Sequence, residues 1–188
     1  MSIPSSYRQA GLSLIELVMF IVIVGVAVAG VLSVMNVTTQ HSADPMVRKQ
    51  ALAIAEALLE EIELQPFTYC DPDDANAANA TGAFVGVNGC TTTVEALGPE
   101  AGETRYASPQ FDNVNDYAGF SMSPIVDITG SPITGLSGYT ASVSITQAGA
   151  AFSLPAEAVL KIDVQVVSGS TDITLTGYRF RYAPNAVP

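Results

Sequence analysis

Basic side chains are scarce in this chain: seven Lys and Arg stand against eighteen Asp and Glu, giving a formal net charge of −11. A surface of that sign repels a phosphate backbone, which excludes nucleic acid as a partner. Histidine occurs once, as His41, and cysteine twice, as Cys70 and Cys90. A zinc centre needs about four clustered nitrogen or sulfur ligands, and these three residues are too few and too dispersed to supply them. His41 reads as a surface residue. The chain also lacks a nucleophile elbow, a phosphate-binding glycine loop and paired histidines. These absences argue against an enzyme and against a cofactor.

What the chain does have is a long apolar run at its start. From Leu12 to Met35 only Ser13, Glu16, Gly25, Gly30 and Ser33 are not hydrophobic, and Glu16 alone is ionisable. As a helix, a run of this length extends roughly 36 Å, enough to cross a hydrocarbon layer of about 30 Å. Arg8 is the single charged residue before it, so the positive-inside rule leaves the first residues in the cytoplasm and the rest outside. Gly25, Ala29 and Ser33 recur every four residues and give one face of the helix room for close helix approach. An exported soluble protein is an alternative, because Ala27-Val28-Ala29 before Gly30 fits a signal-peptidase site. Glu16 argues against it. A carboxylate inside the apolar run costs about 2 to 3 kcal/mol at mid-span, less near the interface, and does nothing for an ordinary signal.

The segment Gly11-Leu12-Ser13-Leu14-Ile15-Glu16-Leu17 resembles the processing site of type IV prepilins and type II secretion pseudopilins. That resemblance implies cleavage between Gly11 and Leu12 by a prepilin peptidase, with methylation of the new amino terminus on Leu12. Leu12 stands where phenylalanine is usual in the family, and Ser13 where threonine is commoner. Glu16 then takes the position of the glutamate through which an incoming subunit meets the amine of its neighbour. Such pairing offsets the desolvation of both groups. Residues 1–11 are thus expected to form a leader and 12–36 a transmembrane and filament-core helix. Removing the leader takes away Arg8 and lowers the net charge from −11 to −12.

Beyond the span, residues 36–43 are polar and partly β-branched, a poor helix, and Asp44-Pro45 has the form of an N-cap followed by proline at the first helical position. From Pro45 to Leu64, Val47, Ala51, Ile54, Leu58 and Ile62 keep helical spacing while Lys49, Glu56, Glu60 and Glu63 fall on the other side. Residues 37–64 are therefore expected to continue the helix as an amphipathic segment that Pro66 stops. Whether 36–44 stays helical, unwinds or bends is left open by the pattern.

Residues 65–188 have the length of one modest exported head. Leu160, Ile162, Val164 and Val166 alternate with polar neighbours, as do Ala141, Val143 and Ile145, and Ile173 and Leu175. Ser168-Gly169-Ser170-Thr171 reads as a hairpin turn between the last two strands. The expected fold class is α+β: a long N-terminal helix packed on a three-stranded antiparallel meander, which is also what the pilin resemblance implies. Cys70 and Cys90 read as a disulfide in an exported domain, contributing roughly 3 kcal/mol by chain entropy. Asp71, Asp73, Asp112 and Asp116 are weak calcium candidates. Their spacing does not fit a twelve-residue calcium loop, and the expectation is solvated turn residues without metal.

The run from His41 to Glu56, the segment Phe111-Asp112-Asn113-Val114-Asn115-Asp116-Tyr117 and the closing Leu175-Thr176-Gly177-Tyr178-Arg179-Phe180-Arg181-Tyr182 look like the minor pilins of the mannose-sensitive haemagglutinin pilus system. This implies a subunit that joins or primes a surface filament used for attachment, held in the inner membrane with its head in the periplasm before assembly and in the pilus after it. Its expected partners are the peptidase, other pilin subunits through the N-terminal helix, and the membrane. A secretion pseudopilin and a membrane-tethered adhesive domain are the competing readings.

Overall fold

The structure is a computed structural model that describes residues 13–181, with only the backbone described over 36–44. The chain divides into two compact units, with the boundary between Pro45 and Met46. Helical backbone, α1, is assigned over Leu14–Glu63 with Pro45 inside it. The backbone of 36–44, left open by the sequence pattern, is helical, and the Asp44-Pro45 restart signal does not interrupt it. Proline removes its own N–H from the ladder and its ring crowds the carbonyl four residues earlier, a cost of about 3 kcal/mol inside a helix.

In the first unit, Leu14–Met35 has a mean hydropathy of 2.9, and its residues are exposed. Phe20, Ile23 and Val26 are all more than three-fifths exposed. This is one helix long and apolar enough to cross a membrane. Nothing lies within 4 Å of where a side chain on Gly25 or Gly30 would begin, so both small positions stay open on the helix surface.

In the second unit, the helical residues from Met46 onward back a four-stranded antiparallel sheet of order β1-β2-β3-β4, made of Ser121–Met122, Thr140–Gln147, Val159–Ser168 and Thr171–Phe180. The expected meander is β2 to β4, and β1 adds a two-residue edge pairing Ser121 with Ser142 and Met122 with Ala141. Register places Ala141, Val166 and Ile173 in one row, Val143, Val164 and Leu175 in the next, and Ile145, Ile162 and Gly177 in the third. Every one of those residues on β2 and β3 is buried. They meet Ala51, Ala55, Leu58 and Ile62 of α1 in a single core. Strand alternation of period 2 and helix spacing of three and four residues thus converge on one apolar layer.

Two glycines earn their positions. Gly169, with φ of 58°, is the first central residue of the two-residue β3–β4 turn, where a left-handed residue matches the strand twist. Gly177 faces α1 from β4. A Cβ there would meet the Glu63 carboxylate and come within 2.9 Å of Leu59 Cδ1.

A polar bolt ties α1 to the loops. Arg105 donates to Glu61 from Nε at 2.6 Å and from Nη2 at 2.7 Å, and to the Asp127 carbonyl from Nη1 at 3.1 Å. Tyr117 Oη donates to the same Glu61 carboxylate at 2.8 Å. Tyr117 is 1 % exposed and packs edge-on against Phe111 and Phe120.

Candidate functional site

Two places carry chemistry: the start of α1 and the loops that follow it. Gly11 and Leu12, the expected cleavage site, lie outside the described residues. Ser13 caps the helix. Its hydroxyl accepts from the Glu16 N–H at 3.3 Å, and its carbonyl accepts from Glu16 and Leu17 N–H at 3.1 and 3.2 Å. Ser13-Leu14-Ile15-Glu16 has the spacing of a capping box, a local signal that can be read directly from the sequence. A carboxylate in the first turn also suits the positive end of the helix dipole. Glu16 is exposed, so none of the described residues covers the carboxylate.

The loop after α1 is closed by the Cys70–Cys90 disulfide, with Cα atoms 5.4 Å apart. Inside it Asp74 organises the backbone. One carboxylate oxygen accepts from the N–H groups of Asn76 and Thr91, both at 2.9 Å, and the other from Thr92 at 2.7 Å and Thr93 at 3.0 Å. These bonds, led by Thr91, hold the Asp74 carboxyl far below the ordinary carboxylate range.

The disulfide loop and the two loops after it bring seven acids together. Donor oxygens lie within 4.8 Å of one another in three overlapping groups: Asp71, Asp73 and Asp112; Asp71, Glu100 and Glu103; and Glu95, Glu100 and Asp116. Asp116 is anchored by accepting the N–H groups of Asp112 and Asn113 at 2.9 and 2.8 Å, in a one-turn 3-10 helix, Val114–Tyr117, capped by Asn113. Burial is the main cause of their shifted acidities. It pushes Glu95 up to about 9, with Asp116, Glu100 and Asp71 adding to it. Asp112 and Glu103 are each raised to about 7 and Asp116 to about 6.

The expectation of solvated turn residues holds for Asp73, which is exposed, and is corrected for Asp116, which is 0 % exposed. Of the four aspartates singled out by sequence, three share one group, and Asp116 joins a second built with Glu95 and Glu100. Glu95, Glu100 and Glu103 carry no sequence signal of their own, because only the folding of separate loops makes them neighbours.

The chain matches no protein-family model, no curated protein sequence and no solved structure.

Proposed function

We propose that this chain is a minor pilin of a type IV pilus, of the mannose-sensitive haemagglutinin type, cut by prepilin peptidase between Gly11 and Leu12 and assembled through its N-terminal helix. One observation carries the reading: a fully uncovered apolar helix, Leu14–Met35, with a single carboxylate in its first turn. A hydrophobic surface of this extent is stable only inside a membrane or against other helices. Glu16 is left uncovered by the described residues, and the amine freed on Leu12 of a neighbouring subunit would supply the opposite charge. The α+β head, a helix backing an antiparallel sheet and locked by a disulfide, suits an exported domain carried at the end of such a helix. The inner membrane holds the subunit before assembly, and other pilin subunits replace lipid around the helix afterwards.

The test is incorporation. Glu16→Ala is expected to leave processing at Gly11 intact and to deplete the subunit from sheared filaments. Wild-type incorporation of that variant would overturn the assembly role. A tethered adhesive domain is the second reading, favoured by the exposed aromatic group of Phe152, Tyr178 and Phe180 beside the outer face of the sheet, with ring centroids 5.4 and 5.1 Å from Phe152. It predicts that the Glu16 variant retains full surface attachment. A type II secretion pseudopilin shares the helix chemistry and predicts a secretion defect instead of a filament defect when the gene is removed.

A further inference from the structure

We propose that the head binds a calcium ion between Glu95, Glu100 and Asp116, with the Asn115 side-chain oxygen as a neutral donor beside them. This inference does not depend on the filament reading. Glu95 is 9 % exposed, and neither of its carboxylate oxygens has a hydrogen-bond partner. Asp116 is 0 % exposed with Oδ1 equally unpartnered, and Asn115 is 6 % exposed with its Oδ1 unpartnered as well. Four buried oxygens on three residues are thus left without donors, which is unfavourable unless a proton or a cation meets them. Asn115 and Glu95 line the same small cavity of about 100 Å³.

Among the described residues the cation nearest this group is Arg181, whose charge acts on Glu95 and whose Nε is itself buried without a partner. Arg181 lines the cavity too, but its Nη1 and Nη2 donate to the carbonyls of Glu157 and Thr68 at 3.0 and 3.1 Å. Its guanidinium is stacked between Phe67 and Tyr69, 4.0 and 4.1 Å from the ring centroids. Glu100 is shared with a second group, Asp71 and Glu103, which deepens the negative potential on its other side.

The donor set names the ion class. All donors are oxygen, which selects a hard cation over zinc or copper. Donor oxygens within 4.8 Å of one another match the roughly 5 Å diameter of a calcium shell with bonds of about 2.3 to 2.6 Å. Magnesium demands a near-ideal octahedron at about 2.1 Å and keeps most of its waters, a poor match for three carboxylates fixed by separate loops. In an exported domain a site with a Kd of about 0.1 to 1 mM suffices.

The experiment uses the full chain in detergent micelles, with calcium chloride as the probe. Calorimetric titration is expected to show saturable binding, and the unfolding temperature to rise in calcium relative to a chelator. Glu95→Gln and Asp116→Asn are expected to lose at least tenfold in calcium affinity, while Asp172→Asn, on the exposed face of β4, binds as wild type. In chelator the two site variants should unfold no lower than wild type, because each removes a carboxylate repelled by its neighbours. That comparison separates a lost ligand from a damaged fold, and Glu100→Gln serves if either variant fails to fold. Absence of calcium heat together with an unchanged unfolding temperature would overturn the proposal, as would wild-type affinity in all three variants. An equal response to magnesium at the same concentration would overturn the assignment to calcium.

Discussion

Glu61→Ala is the perturbation whose cost the structure fixes best. Arg105 has a side chain 7 % exposed, against 25 % for Glu61, and two of its donors close on that one carboxylate. Removing the carboxylate leaves a buried guanidinium with backbone carbonyls alone and deprives the Tyr117 hydroxyl of its 2.8 Å acceptor. Breaking a fully buried pair costs about 3 to 5 kcal/mol, and the partial exposure of Glu61 lets water recover part of that, bringing it to about 2 kcal/mol. The Tyr117 hydroxyl adds about 1 kcal/mol. A total of about 3 kcal/mol corresponds to a drop in Tm of about 10 °C for a domain of this size. Thermal unfolding of the full chain followed by circular dichroism reads it. Tyr117→Phe should account for about a third, and Arg105→Met combined with Glu61→Ala should recover part of the loss because no unpaired charge remains. A loss under about 0.5 kcal/mol for Glu61→Ala would show that the ion pair is solvated and that the bolt between α1 and the loops does not contribute as described.

Gly177→Ala is expected to change stability by less than about 1 kcal/mol, because its Cβ meets only the ends of the flexible Glu63 and Leu59 side chains, which can move aside; denaturant titration checks it. Replacing Cys70 and Cys90 by serine should cost roughly 3 kcal/mol for a pair 20 residues apart, read by the shift of the urea midpoint. Asp127 has a carboxyl held below the ordinary range by the Thr129 hydroxyl and the Ser131 and Thr129 N–H groups. Its contribution is present above the unfolded pKa and lost as pH falls through the lower folded value, so Asp127→Asn should flatten the acid limb of a stability–pH curve.

The sheet was legible because β2 and β3 alternate cleanly, and each residue expected to face inward is buried. The amphipathic stripe of α1 was legible for the same reason, with Ala55 added to it by burial. β1 is two residues long and carries no period of its own, so only its neighbour defines it. The helical backbone of 36–44 ran against local propensity, as short polar stretches between strong helical segments often do. Asp71, Asp73, Asp112 and Asp116 were singled out from the sequence, but Glu95, Glu100 and Glu103 were not, because spacing along the chain says nothing about distance across a fold closed by a disulfide. Glu61 and Arg105, 44 residues apart, pair for the same reason of tertiary context.

The intact mass of the mature chain, purified from cells that carry prepilin peptidase, tests the central reading most directly. The account predicts a start at Leu12 bearing one methyl group. A chain beginning at Gly30, or an uncleaved chain beginning at Met1, would contradict it.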